Sequence, residues 1–243
     1  MDHPSPEVSL VIPAYNEEQR LSQSLAEVAA FMNSFPMPME VLIVNDGSRD
    51  RTPEIAREFI RVHPMGNRFE LVQYGANRGK GFAVAEGLRK ARGEWIVFSD
   101  TDLSAPIDQL PRLIAELERG ADLAIASRRL RESEVVGLPL SIRLRSRFFS
   151  ILSRILVLPG IKDTQCGFKA YRREAALALV ERQKIDGYTF DVEHLLLARR
   201  MGLKVVEVPV KWIFSEGSQI HGFRDSARMF RDLLAIPRLH PKK

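Results

Sequence analysis

Two carboxylates one residue apart, Asp100 and Asp102, follow the apolar run Trp95-Ile96-Val97-Phe98. At the end of a buried strand such a pair can converge on a divalent cation, Mg2+ or Mn2+, and through it on the oxygens of a departing diphosphate. An isolated Asp-x-Asp is also an ordinary solvated turn, so the apolar strand before it is what favours the metal reading. Pro13, Tyr15 and Glu17 close the first apolar run. There an aromatic ring could stack on a base and a carboxylate could accept hydrogen bonds from a ribose or base. Glu17 and Glu18 equally suit a helix N-terminus through the dipole. Asp46, in Asn45-Asp46-Gly47-Ser48, is either a base contact or a turn former. Asn77-Arg78-Gly79-Lys80-Gly81 looks like a phosphate-binding turn, with Lys80 or Arg78 as the diphosphate ligand. It lacks the Gly-x-x-x-x-Gly-Lys-Ser/Thr spacing, which argues against an ATPase.

The elements that must hold these clusters alternate in type. Strands are expected at 8–12, 41–44, 69–73, 95–98 and 121–126, with helices at 17–31, 52–62, 82–91 and 107–117 between them. Thr52-Pro53 reads as an N-cap with proline at the first helical position. This series predicts an α/β fold with a mostly parallel sheet flanked by helices. Ligands of open α/β sheets bind beyond the carboxyl ends of the strands, and all four polar clusters fall there. Residues 129–139 are expected to be a flexible loop, and 237–243 a basic, partly disordered tail.

The chain has 243 residues and a formal net charge of +5, unevenly spread. Residues 1–127 hold 13 Lys and Arg against 19 Asp and Glu, whereas the remainder holds 23 against 12. The basic half calls for an anionic partner: a membrane, a phosphorylated acceptor or nucleic acid. The single cysteine, Cys166, cannot form an internal disulfide and reads as inert, in keeping with a reducing compartment. His194 and His221 have no metal-ligand spacing. The N-terminus has no secretion-signal pattern, and no apolar run approaches the roughly 20 residues needed to span a bilayer.

Taken in order and spacing, Pro13-Ala-Tyr-Asn-Glu17, Asn45-Asp-Gly-Ser48, Asn77-Arg-Gly-Lys-Gly81 and Asp100-Thr-Asp102 resemble the family-two GT-A glycosyltransferases. Asp163-Thr-Gln-Cys-Gly-Phe-Lys169 and Phe190-Asp-Val-Glu193 resemble the polyprenyl-phosphate branch, in particular the dolichyl-phosphate β-glucosyltransferases. The likeness runs over about residues 7 to 215. It implies a GT-A, Rossmann-like fold with nucleotide contacts from Pro13, Tyr15, Glu17 and Asp46, and metal and diphosphate contacts from Asp100 and Asp102; Lys80 and Thr101, beside them, complete the expected nucleotide-sugar contacts. It also implies a phosphate contact from Arg128. Asn45 stands where related enzymes often have aspartate, which leaves Asp46 as the base contact. Members of the glucosyl branch often begin with a membrane helix; its absence here implies either peripheral attachment or a sequence that is part of a longer chain.

Such an enzyme would move a hexose, here glucose from UDP-glucose, onto a polyprenyl phosphate with inversion at the cytoplasmic face of a membrane. A phosphate acceptor is already ionised near neutral pH and needs little general-base help. Asp102, Asp163 and Asp191 are the catalytic candidates, with Asp163 or Asp191 orienting the acceptor or sugar. Gln165 could bond either; it and Asp163 equally suit a polar turn, while Asp191 and Glu193 equally suit a solvated helix cap. Residues 1–127 are expected to be the donor half of one domain and 128–236 the acceptor half.

A helix over 140–158 would place Arg143, Arg147 and Arg154 on one side and Leu144, Phe148, Ile151, Leu152 and Ile155 on the other. That pattern fits an anionic membrane interface, or a helix packed on the sheet with its basic side in water. A second such segment, 223–236, sets Phe223, Ala227, Phe230, Leu233 and Leu234 against Arg224, Arg228 and Arg231. Trp212, Ile213 and Phe214 are an interfacial anchor or a buried strand. Rival readings are a transferase using GDP-mannose or a soluble or glycan acceptor, and a non-catalytic module binding anionic lipid or nucleic acid. No zinc spacing or aromatic RNA-binding signature supports nucleic acid.

Overall fold

The structure, a computed structural model, describes residues 5–215 and 222–241. The chain begins β1 (Val8–Ala14), α1 (Leu21–Ser34), β2 (Met39–Asn45), α2 (Thr52–Val62), β3 (Phe69–Gln73), α3 (Lys80–Lys90), β4 (Trp95–Ser99), α4 (Leu110–Glu118) and β5 (Leu123–Ser127). It continues through β6 (Glu134–Val136), α5 (Leu140–Leu156), β7 (Phe168–Arg172), α6 (Arg173–Arg182), α7 (Phe190–Arg200), β8 (Val205–Pro209), β9 (Lys211–Ile213) and α8 (Gly222–Leu239).

Seven strands form the central sheet in the order β3-β2-β1-β4-β7-β5-β8. Side chains of a strand alternate between the two faces of its sheet, so the unbroken apolar runs bury on both. Leu10 and Ile12 join Leu21, Leu25 and Val28 of α1 and Leu110, Leu113 and Leu117 of α4. Val11 faces the opposite layer, with Val84 and Leu88 of α3, Leu179 of α6, Leu195 of α7 and Leu233 of α8. The result is the mostly parallel sheet between helices that the alternating pattern predicts.

The series does not close after Ser127, because β7 and β8 complete the sheet. β7 enters antiparallel between β4 and β5, with Lys169 opposite both Phe98 and Ile125. A reversed strand brings its beginning, not its end, to the ligand edge. Phe168 therefore pairs with Ser99, and the loop from Asp163 to Gly167 reaches the strand end that carries Asp100. The two halves of the chain thus share one sheet.

Four local expectations change. The first helix starts at Leu21, and residues 18–20 form a turn. The expected loop at 129–139 contains β6, which pairs in parallel with β9; three-residue strands are too short to register as a pattern. The tail expected from Pro237 is helical as far as Leu239, and His240 reaches Glu193 at 2.6 Å. In α5, Phe149 and Leu152 pack on the core, but Leu144 and Ile151 are exposed beside the equally exposed Arg143, Arg147 and Arg154. His221 and the side chains of Phe148, Ile155, Phe223 and Arg224 lie outside the described residues.

Candidate active site

Because β1, β2 and β4 run in parallel, their carboxyl ends lie side by side and open into one cleft. Its wall includes Pro13, Tyr15, Glu17, Asp46, Lys80, Asp100, Thr101 and Asp102, so eight of the residues singled out from the sequence meet there. Side chains fasten the loops to one another. The Thr101 hydroxyl donates to the Pro13 carbonyl at 2.7 Å, and the Ser24 hydroxyl donates to the Thr101 carbonyl at 2.6 Å. The Glu17 N–H donates to the Thr52 hydroxyl at 2.7 Å, and the Asn16 N–H to the Ser48 hydroxyl at 3.0 Å.

Asp46 organises the 74–79 loop. Its Oδ1 accepts from the Tyr74 hydroxyl at 2.9 Å and the Arg78 N–H at 2.7 Å. Its Oδ2 accepts from Asn77 Nδ2 at 2.9 Å and the Gly79 N–H at 2.8 Å. Four donors fill the lone pairs of one carboxylate. The expected base contact through that carboxylate therefore gives way to a shaping role. Gly79 has φ +111° and a Cβ there would sit 2.4 Å from the Asp186 carbonyl, so only glycine fits this entry to α3. Arg78 points elsewhere, over the Phe82 ring at 3.6 Å and toward Asp186 at 3.6 Å.

Lys80, in the first turn of α3, meets Asp100 Oδ1 at 2.5 Å. Although burial opposes its charge, Asp100 and Asp191 hold the ammonium above the ordinary lysine range. The Asp100 N–H donates to the Gly167 carbonyl at 3.0 Å, and a Cβ on Gly167 would fall 2.0 Å from Asp100 Oδ2. Gly167 is therefore the shelf on which the Asp100 carboxylate rests. Asp102 Oδ1 accepts the Ser104 N–H at 3.0 Å. Burial, and then the charge of Asp100, push the Asp102 carboxyl up. Glu17 is pushed up to about 7, chiefly by burial; Arg20, 2.8 Å away, opposes the shift, and Asp102 and Asp100 add to it.

Among the described residues, five carboxylates line the cleft (Glu17, Asp46, Asp100, Asp102 and Asp232) against three cations (Arg20, Lys80 and Arg228). Crowded carboxylates with raised pKa values are hard oxygen ligands in need of positive charge. A divalent cation at Asp100 and Asp102 fits that need, and without one an anionic diphosphate would meet net repulsion.

Four of the expected site residues lie outside this cleft. Arg128, just past the end of β5, grips Asp163 through Nε at 2.7 Å and a second guanidinium nitrogen at 2.9 Å. Asp163 is 1% exposed and, against the effect of burial, the Arg128 guanidinium holds its carboxyl well below the usual range. Gln165 turns back on Asp163 through its N–H at 3.3 Å. Asp191 is 3% exposed and ion-paired with the fully buried Lys169. Neither Asp163 nor Asp191 presents a carboxylate to the cleft, so neither is placed to touch a sugar. Glu193 is not a solvated cap either, since it accepts the N–H groups of Lys184 and Ile185 at 2.9 and 3.0 Å. Cys166 is buried and its thiol is pushed up to about 12, which leaves it inert as expected.

Beyond Arg128 lies an arginine cluster. Arg129 donates to the Ser146 carbonyl and hydroxyl at 2.9 and 3.0 Å, while its buried Nε has no partner among the described residues. Burial, with Arg128, Arg147 and Arg154 nearby, outweighs Asp163 and lowers the Arg129 guanidinium. Sequence reasoning also missed Arg20, Tyr188, Arg228, Met229 and Asp232, which line the cleft. Arg228, Met229 and Asp232 come from α8, whose only sequence signal is amphipathic spacing, and that cannot say what a helix covers.

The chain matches glycosyl transferase family 2 over residues 9–179. It is 35% identical to a dolichyl-phosphate beta-glucosyltransferase of Drosophila melanogaster over 97% of this chain and 76% of that protein. The human protein of the same description is 32% identical over 97% and 76%, and that of Saccharomyces cerevisiae 33% identical over 94% and 73%. Among solved structures, a glucosyl-3-phosphoglycerate synthase of Mycobacterium tuberculosis with Mn2+, UDP and phosphoglyceric acid superposes with a TM-score of 0.71 at 19% identity, over 97% of this chain and 79% of that one. The same enzyme with Mn2+, UDP and glucosyl-3-phosphoglycerate gives 0.70 at 19% identity, over 95% and 78%. At that identity the likeness establishes the GT-A type of fold.

Proposed function

The chain belongs to glycosyl transferase family 2 and is a nucleotide-sugar glycosyltransferase, and on that premise we propose that it transfers glucose from UDP-glucose to a dolichyl-type polyprenyl phosphate, with inversion. The observation that carries this reading is the pairing of opposite charges: an acidic cleft at Asp100 and Asp102 beside an arginine cluster at Arg128 and Arg129. The descriptions of the relatives at 32–35% identity supply the glucosyl group and the acceptor class.

Residues 1–127 furnish most of the donor site, with α8 closing it, and 128–236 furnish the acceptor side. Pro13, Tyr15 and Glu17 take the nucleoside, and Asp46 and Thr101 set the loops around it. Asp100 and Asp102 hold Mg2+ or Mn2+, which when bound neutralises the diphosphate and favours its departure. Lys80 adds a cation on the same side, in a site where oriented charge is worth more than in water. A phosphate oxygen of the acceptor attacks the anomeric carbon; as that C–O bond forms, the bond to the donor diphosphate breaks and UDP leaves. The acceptor is already an anion, so no side chain needs to remove a proton. The guanidinium of Arg129 receives the acceptor phosphate, with Arg147 and Arg154 attracting it, and Arg128, fixed by Asp163 and stacked 5.4 Å from the Trp212 ring, forms the wall between the two ends.

The polyprenyl chain calls for a lipid surface. On α5, Leu140, Leu144 and Ile151 are exposed among Arg143, Arg147 and Arg154, and Val135, Val136 and Ile213 of β6 and β9 are exposed as well. Phe230 and Leu234 of α8 repeat the pattern with Arg231 and Arg238. Exposed apolar side chains set among arginines suit peripheral attachment to an anionic leaflet, here the cytoplasmic one. No helix among the described residues is long and apolar enough to cross a membrane.

The test is to incubate purified protein with a panel of UDP- and GDP-sugars, Mg2+ or Mn2+, and a short polyprenyl phosphate, and to weigh the products. A hexosyl polyprenyl phosphate formed from UDP-glucose is expected. Donor hydrolysis without any prenyl-linked product would defeat the acceptor assignment, and product from GDP-mannose alone would defeat the donor assignment.

A further inference from the structure

Behind the Asp100–Lys80 couple lies a second ion pair that no ligand can touch. Lys169 is fully buried on β7 and Asp191 nearly so in the first turn of α7. The Lys169 ammonium donates to Asp191 Oδ1 and, at 2.9 Å, to the Cys166 carbonyl. Two physical links run from this pair to the cleft. One is mechanical: the carbonyl that Lys169 grips immediately precedes Gly167, which accepts the Asp100 N–H and passes directly beneath the Asp100 carboxylate. The other is electrostatic. Lys80 and Lys169 lie 5.4 and 5.7 Å from the centroid of the same Phe98 ring, so the Asp191 charge acts on both lysines.

Removing two charges from water is expensive, and well-packed apolar residues often replace a buried ion pair with no loss of stability. Stability alone therefore gives this fold little reason to keep Lys169 and Asp191. Their position gives another. We propose that Lys169 and Asp191 are positioning residues for donor binding: they set the Gly167 shelf under Asp100 and keep Lys80 at the cleft wall without touching the donor. This rests on the donor site proposed above. It assigns to Asp191 a role behind the reacting groups rather than among them.

The test is a double variant, Lys169→Met with Asp191→Leu, which removes both charges and refills the space, alongside the near-isosteric Asp191→Asn. UDP binding in the presence of Mn2+ is measured by calorimetry, acceptor KM with a short polyprenyl phosphate, and folding by thermal melting. We expect the double variant to melt within a few degrees of wild type, to bind UDP with Mn2+ at least tenfold more weakly, and to keep its acceptor KM within twofold. Asp191→Asn should weaken UDP binding in the same direction by a smaller factor.

Unchanged UDP affinity in the folded double variant overturns the proposal, as does equal weakening of donor and acceptor, which is the mark of a merely structural role. Should the double variant fail to fold, weaker UDP binding by a folded Asp191→Asn supports the proposal and unchanged binding overturns it. Loss of folding in both variants makes the pair a folding element and also overturns it. Failure of wild-type protein to bind UDP with Mn2+ brings down the donor site itself, and this inference with it.

Discussion

The acidic cleft and the arginine cluster beyond it are built in opposite ways. At the Asp100–Asp102 end, carboxylates crowd together, the Asp102 and Glu17 carboxyls are pushed up, and the nearby cations do not balance them. At the Arg128 end the order is reversed: one carboxylate, Asp163, is fully satisfied, and Arg129 next to it is short of an anion. The difference separates residues that hold the fold from residues that wait for a ligand. Asp163 and Arg128 complete each other, whereas among the described residues Asp102 has only Arg20 at 4.0 Å as a cation and the buried Nε of Arg129 has no partner. In the proposed function the diphosphate of a nucleotide-sugar donor, with its cation, meets the first need, and an acceptor phosphate meets the second.

If that division holds, the largest effect comes from breaking the completed pair. Arg128→Met leaves the Asp163 carboxylate buried and unpaired and should cost about 3–5 kcal/mol of stability by urea unfolding. Arg128→Met with Asp163→Leu should recover most of that loss. Equal losses in the single and double variants would mean that the pair is not the stabilising unit.

Asp102→Asn should do the reverse, lowering kcat/KM by on the order of 10²–10³ while melting at or above the wild-type temperature, because relieving like charge costs the fold nothing. A drop in melting temperature together with near-normal turnover would erase the distinction between the two ends.

The pH dependence should have opposite signs at the two ends. Glu17, raised to about 7 in the fold, contributes stability below its unfolded value near 4.5 that is lost as pH rises through 7. Glu17→Gln should therefore stabilise the metal-free protein at pH 8, by up to about 3 kcal/mol, and have little effect at pH 4. Asp163, lowered in the fold, contributes stability above the ordinary aspartate range that is lost as pH falls below it, so Asp163→Asn should destabilise at pH 8. Melting curves of both variants across pH 4 to 8 check the pair of signs.

The smallest expected change is in Arg129→Met. Acceptor KM should rise roughly tenfold, the scale of one charge-assisted hydrogen bond. The donor KM should stay put.

Much of this was readable from the chain because it is written locally. Thr52-Pro53 marks the start of α2, although the N-cap is Arg51 and Thr52 is already helical; the apolar runs at 8–12, 41–44 and 95–98 mark strands buried on both faces, and polar clusters after parallel strands must share one edge. What was not readable depends on partners distant in sequence. Periodicity says nothing about which neighbour a strand chooses, so the antiparallel insertion of β7, which carries Gly167 to Asp100, left no local trace. Asp163 and Asp191 look like any polar residue in a turn or helix start until Arg128 and Lys169 close over them. The amphipathic spacing of α8 placed Leu233 on a face with Ala227, Phe230 and Leu234, of which only Leu233 is buried, and it gave no sign that Arg228 and Asp232 would line the cleft.

The most direct test of two ends with opposite needs is to measure the binding of UDP with Mn2+ and of a short polyprenyl phosphate separately, to wild type, Asp102→Asn and Arg129→Met. A crossing pattern is expected: Asp102→Asn loses UDP and keeps the lipid phosphate, and Arg129→Met does the opposite. UDP binding that survives Asp102→Asn, or one variant that loses both ligands while still folded, would contradict it.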